Sequence, residues 1–84
     1  MKRTDVTYGQ LDKVLRSLGF SRRVLKKDPA TRVYEHESGA LITIPPFPES
    51  DFVLDYHLIG ARTTLDLFGI ADPKVFDANL QKVG

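Results

Sequence analysis

The chain has 84 residues, a net charge of +1 and no cysteine, which excludes disulfides, thiolate chemistry and cysteine-bound zinc. A chain of this length forms one domain with one core, and its 42% hydrophobic and 27% charged residues are typical of a globular protein rather than a disordered one. The charge is uneven, because residues 1–32 contain nine of the twelve Lys and Arg, whereas residues 33–84 contain eight of the eleven Asp and Glu. This division favours a basic surface for a polyanion and an acidic surface for a partner or a second copy, unless folding intermixes the two halves.

The sequence contains no membrane or targeting signal. No apolar run approaches the roughly 18–20 residues of a membrane span, and residues 1–5 lack the apolar core of a secretory signal. We therefore expect a cytoplasmic protein that does not enter a membrane. The acidic residues Glu49, Asp51 and Asp55 lack the order of an EF-hand loop, and we expect no metal and no other cofactor.

The first predicted element is an amphipathic helix that begins after Thr7. Thr7 and Gln10 have the spacing of a capping box, and Gly19 is suited to the left-handed conformation that ends a helix. The apolar residues recur at spacings of three and four, which predicts one buried stripe. They are Tyr8, Leu11, Val14, Leu15 and Leu18.

Three strands are predicted next. Residues 20–26 have the pattern of a basic strand, and residues 27–30 form a turn. Residues 31–36 and 40–45 are predicted to form a hairpin, because Gly39 between them tolerates the positive φ of a tight turn.

A connector and a second helix follow the hairpin. Residues 45–48 contain three prolines and therefore cannot continue a paired strand. Asp55 is the expected cap of a helix from Tyr56 to Phe68, which Gly69 ends.

Asp72-Pro73, a cap followed by proline at the first helical position, predicts a short third helix over residues 73–82. The predicted fold is therefore α+β: a helix, a three-stranded antiparallel sheet, a second helix and a C-terminal helix, within one domain spanning residues 1–84. We expect both main helices to pack on one face of the sheet, because their apolar stripes need a shared surface. This is the arrangement of the double-stranded-RNA-binding fold.

Over about residues 8–70 the sequence resembles the HicA-type toxins, small bacterial mRNA interferases of toxin–antitoxin pairs. The resemblance implies a double-stranded-RNA-binding-like domain, an RNA ligand and a HicB-type antitoxin as partner. It is carried by Leu18-Gly19-Phe20, by Val33-Tyr34-Glu35-His36 with Gly39, by Leu41-Ile42-Thr43-Ile44-Pro45, and by Arg62, Leu65 and Gly69.

The sequence departs from this family at the position credited with RNA cleavage. The family has Gly-Ser-His where this chain has Pro29-Ala30-Thr31, and the Thr31 hydroxyl cannot act as a general acid or base near neutral pH. His36 aligns with a second family histidine that is not credited with the chemistry. It is the remaining catalytic candidate, with Arg32 on the same strand parity as a cation for the phosphorane; the alternative is that His36 is a surface residue of the hairpin. His57, in the first turn of a helix where a cation is disfavoured, is interpreted as structural.

The basic residues around the first strand are the predicted RNA-binding site, because double-stranded RNA is bound through phosphates and 2′-hydroxyls. Strand alternation sends Arg22 and Arg23 to opposite faces, and the alternative is a charged strand edge that only aids solubility. Tyr34 lies beside Arg32 on the open face or, with a shift of one residue in register, in the core, which we favour. The predicted RNA-binding residues are Arg22, Arg23, Lys26, Lys27, Arg32 and Tyr34, with Arg16 as a further cation of the series.

Two functional hypotheses follow from the sequence. The first is a HicA-like RNA-binding protein in which mRNA cleavage is weak or lost, so that it is not principally an enzyme. The second is a non-enzymatic interaction module that keeps the fold and uses its acidic half and hairpin edge to bind a protein partner or to form a homodimer. Strongly salt-dependent RNA binding favours the first hypothesis, and dimers indifferent to RNA favour the second.

Overall fold

A strand and a helix, four further strands and two helices follow one another in the computed structural model, which describes residues 3–27 and 29–82. The class is α+β, with three helices and two separate sheets in the described ranges. The elements are β1 (Arg3–Thr7), α1 (Tyr8–Ser17), β2 (Ser21–Arg23), β3 (Arg32–Glu35), β4 (Leu41–Ile44), β5 (Phe52–Leu54), α2 (Asp55–Leu67) and α3 (Pro73–Lys82). One sheet is antiparallel with the order β2-β3-β4, and the other pairs β1 with β5.

Both predicted ends of α1 are confirmed. The Thr7 hydroxyl accepts a hydrogen bond from the Gln10 backbone N–H at 3.2 Å, and Gln10 Oε1 accepts one from the Thr7 N–H at 2.8 Å. This is the reciprocal capping box that the spacing predicted. Gly19 has a φ of 97°, which glycine adopts without strain, and it turns the chain so that the side chain of Phe20 is buried.

The basic strand is shorter than predicted. β2 ends at Arg23, which pairs with Val33. β3 begins only one residue earlier, at Arg32, so the residues after Val24 have no residue of β3 opposite them. The predicted turn is seen at residues 29–30, whereas Asp28 lies outside the described residues. In the hairpin, β3 and β4 are each one residue shorter at both ends than predicted, and Gly39 has the expected positive φ, 96°.

The start of α2 differs from the prediction, because Asp55 is the first helical residue rather than the cap. Leu54 occupies the cap position with extended backbone and no side-chain hydrogen bond, since β5 runs directly into the helix. The third helix has the predicted bounds, and the predicted cap is confirmed: the Val75 N–H donates to Asp72 Oδ1 at 2.9 Å.

The core lies between the helices and one face of the three-stranded sheet. The register pairs Arg32 with Ile44 and Tyr34 with Ile42, and directly opposite residues share a face, so these four side chains lie on the same side. That side is buried. The core interpretation of Tyr34 is therefore confirmed, and the arrangement with Arg32 and Tyr34 on an open face is wrong.

The three helices meet around this face. α2 contacts β4, and α3 contacts both α1 and α2. The largest fully buried side chains are Tyr8, Tyr34, Phe76, Leu11, Leu15, Leu65, Val14 and Val53.

Candidate nucleic-acid interface

The outer strand β2 and the loop that follows it form the most basic exposed part of the described chain. Every residue from Ser21 to Lys27 is exposed, because β2 pairs only with β3 and presents its other side to solvent. The last turn of α1 adds Arg16 beside it. We call this surface the basic edge; its cations are Arg16, Arg22, Arg23, Lys26 and Lys27.

The cations surround the edge of the sheet instead of lying on one face. Arg22 is opposite Tyr34 and Arg23 is opposite Val33, so their side chains leave the strand on opposite faces, as strand alternation predicts. Arg16 and Arg22 together line a shallow, open depression with Phe20, Ser21 and Val24. A polyanion lying along the edge is therefore within reach of cations from both faces.

Two of these cations are paired. Arg16 Nε lies 3.0 Å from Asp12 Oδ2, and Arg23 Nη1 lies 2.7 Å from Glu35 Oε1. Both side chains of the Arg23–Glu35 pair are exposed, and exposed pairs contribute only about 0–1 kcal/mol, so a phosphate can replace Glu35 at small cost.

The other three cations of the basic edge have no ion-pair partner among the described residues. Arg22, Lys26 and Lys27 have no carboxylate of the described ranges within 4.0 Å. An exposed segment with four basic residues among seven attracts polyanions.

Two of the predicted RNA-binding residues lie in the core instead. Arg32 is only 7% exposed, and its Nε and Nη1 have no hydrogen-bond partner in the described chain. Its guanidinium carbon lies 6.0 Å from the centre of the Tyr8 ring, within range of a cation–π contact. Tyr34 is fully buried and donates a hydrogen bond to Asp12; burial, and then this bond, raise the pKa of its hydroxyl. The alternation of side chains along the strand placed Arg32 and Tyr34 on one face but did not show whether this face is open or buried.

His36 is held as part of the hairpin turn. Its Nδ1 accepts a hydrogen bond from the Ser38 N–H at 3.1 Å and lies 2.9 Å from Ser38 Oγ, so the neutral ring carries its proton on Nε2. Its ring packs 5.1 Å from the Phe20 ring. The depression beside it is lined by Glu35, which is paired with Arg23, and by Glu37, whose carboxylate repels a phosphate.

His36 and Arg32 do not come together as a catalytic pair. His36 and Arg32 are four residues apart along extended chain, a separation of about 13 Å, and Arg32 is buried. Thr31, at the position of the family's catalytic histidine, is half-buried. The described ranges also contain no group of three or more His, Asp or Glu side chains that would hold a metal ion.

His57 has a structural position. Its Nδ1 lies 2.8 Å from the Tyr8 hydroxyl oxygen, at hydrogen-bonding distance, and the same oxygen accepts the Leu54 N–H at 3.3 Å. The Tyr56 ring lies 4.2 Å away. Burial lowers the pKa of His57, which favours the neutral ring.

The comparisons with known proteins identify no relative. No family model, no curated protein and no solved structure matches the chain. In the described part of the chain, no helix has the length and apolar character needed to cross a bilayer.

Proposed function

We propose that this protein binds RNA through the basic edge, as a HicA-like protein of the toxin–antitoxin type in which mRNA cleavage is weak or lost. The observation that carries the proposal is the exposure of five cations around one sheet edge, three of them without an ion pair among the described residues. Proteins bind double-stranded RNA mainly through phosphates and 2′-hydroxyls, which requires spaced Lys and Arg rather than a deep pocket.

The order of the elements supports a HicA-like, double-stranded-RNA-binding type of domain. A helix, three antiparallel strands and a second helix follow one another as α1, β2-β3-β4 and α2. Two segments that carry the resemblance also contact each other, because Phe20 packs on His36. The β1–β5 pair and α3 are additions to this arrangement.

The proposed loss of cleavage rests on two residues. Thr31 has no group that titrates near neutral pH. The Nδ1 of His36 accepts a hydrogen bond from the Ser38 N–H, so it is not available as a base. The depression beside the ring is lined by Glu35 and Glu37, which supply no cation for the phosphorane. A HicB-type antitoxin remains the protein partner that the resemblance implies.

Incubation of the purified protein with a labelled structured mRNA tests the proposal, beside Thr31→His and His36→Ala variants. We expect the natural protein and His36→Ala to retain the RNA without cleaving it. Cleavage by the natural protein that disappears in His36→Ala would assign the chemistry to His36 and overturn the loss of cleavage. Absence of both retention and cleavage would overturn RNA binding itself.

A further inference from the structure

The opposite edge of the three-stranded sheet is unprotected. β4 is the outer strand on that side, and its sequence, Leu41 to Ile44, contains neither a charge nor a proline. Leu41 is 57% exposed, and Thr43 is exposed as well. Natural proteins usually guard such an edge with charged residues or proline, as Arg22 and Arg23 do on β2, so the bare β4 edge indicates that something covers it.

A groove without charges runs between this edge and α2. Its wall on the helix includes Tyr56, which is 46% exposed, and the apolar surface continues along α2 to Ile59 and Leu67, both exposed. None of the groove's residues is Asp, Glu, Lys or Arg. They are Leu41, Ile42, Thr43, Tyr56, His57, Gly60, Ala61 and Thr64.

Gly60 is a second, independent indication that another chain approaches here. It lies in the interior of α2, where glycine is less favourable than alanine. A Cβ built on Gly60 meets no atom of the described residues within 4 Å, so their packing does not require a glycine. A glycine is useful at this position when a backbone from outside comes close to the helix.

We propose that two copies of this chain pair through β4 in antiparallel orientation about a two-fold axis. The two sheets then join into one of six strands, and the two α2 helices meet near Gly60 on the same face. A two-fold contact sets each group against its own symmetry mate, so a charge near the axis would face an identical charge. An edge and a groove free of charges satisfy this condition, which favours a second copy as the occupant.

The charge distribution of the whole domain agrees with this arrangement. The basic edge lies at the far side of the sheet, so the dimer places its two basic edges at opposite ends. Five strand spacings of about 4.8 Å separate them, roughly 24 Å in total. The two basic edges, which repel each other, are thus kept apart, and both stay accessible to a ligand.

Cross-linking through a single introduced cysteine tests the pairing directly, because the natural chain has none. Thr43→Cys places a thiol on the exposed edge, and Val75→Cys places one on α3, where Val75 is 47% exposed. With a short bis-maleimide reagent, we expect a covalent dimer from Thr43→Cys and little from Val75→Cys. Equal cross-linking in the two variants would contradict the proposal.

Light scattering over a range of protein concentrations gives a second test, without RNA present. We expect the natural protein to dimerise, and Thr43→Lys and Gly60→Leu each to weaken the dimer at least about tenfold; Val75→Lys is the matched control and leaves it unchanged. Gly60→Leu also improves helix propensity, so its fold, followed by denaturation, is retained while the dimer is lost. A natural protein that stays monomeric would overturn the proposal, whether or not it binds an extended peptide of another protein. Dimers of unchanged stability in both Thr43→Lys and Gly60→Leu would also overturn it.

Discussion

The hydroxyl of Tyr34 on β3 donates a hydrogen bond of 2.6 Å to Asp12 Oδ1 on α1. This bond joins the buried face of the hairpin to α1. The other oxygen of Asp12 lies 3.0 Å from Arg16, so one carboxylate contacts both the core and the basic edge.

Replacement of Tyr34 by Phe tests this contact. The variant keeps the buried ring but removes the donor to Asp12, a residue whose side chain is only 14% exposed. We expect the free energy of unfolding, measured in urea, to fall by about 1–2 kcal/mol. Tyr56→Phe is the control, because the Tyr56 ring is partly exposed, and its effect should stay within about 0.5 kcal/mol. Equal stabilities for the natural protein and Tyr34→Phe would show that the bond contributes nothing.

Arg32→Met removes a buried cation whose Nε and Nη1 lack hydrogen-bond partners in the described chain. Methionine is unbranched and similar in length, and replacing unpaired buried polar groups by apolar ones is often neutral or stabilising. We expect unfolding in urea to require the same free energy or about 1–2 kcal/mol more. Arg23→Met, which removes an exposed ion pair, should change stability by less than about 1 kcal/mol.

The same Arg32→Met variant bears on the interface. Arg32 is 7% exposed, so its replacement should leave RNA affinity unchanged. A clear loss of RNA affinity with an intact fold would mean that Arg32 reaches the ligand after a rearrangement of the hairpin.

The pH dependence of stability should report on His57. Burial lowers the pKa of this ring in the folded protein, so near its ordinary value the unfolded chain binds more protons than the folded one. The stabilising contribution is therefore complete above about pH 7 and is lost as the pH falls below the ordinary pKa of about 6.5 and through the lower pKa of the folded state. We expect unfolding midpoints measured between about pH 7.5 and 5.5 to fall less in His57→Gln than in the natural protein. Identical slopes in the two proteins would remove His57 as the cause.

Local sequence signals predicted the parts of the fold that depend on neighbouring residues. The capping box at Thr7, the positive φ of Gly19 and Gly39, and the bounds of the third helix are all confirmed. Each depends on contacts within a few positions, which a pattern records directly.

The parts that were missed depend on long-range packing. β1 and β5 are short and pair across almost fifty positions, so neither has a recognisable pattern by itself. Asp55 was predicted as a cap because nothing in the sequence shows that β5 enters α2 without a break.

Register explains the error at the candidate site. Arg32 and Tyr34 share a face in either register, and only the pairing of Tyr34 with Ile42 decides that this face is buried. A strand that begins with arginine gives no sequence signal for burial, since arginine is rarely buried without a partner.

The salt dependence of RNA binding tests the central claim most directly. Binding of a labelled structured RNA is measured by anisotropy at several salt concentrations for the natural protein, for Arg22→Gln/Lys26→Gln, and for the control Lys74→Gln/Lys82→Gln, which loses the same charge on α3. If Arg22, Arg23, Lys26 and Lys27 each neutralise one phosphate, log K should fall against log salt with a slope of about −3 to −4.

We predict that Arg22→Gln/Lys26→Gln makes this slope shallower by about 1.5–2 and weakens binding, whereas the α3 control keeps both slope and affinity. Equal losses in the two double variants would mean that only net charge matters, and no salt-sensitive binding by the natural protein would contradict the basic edge as an RNA interface.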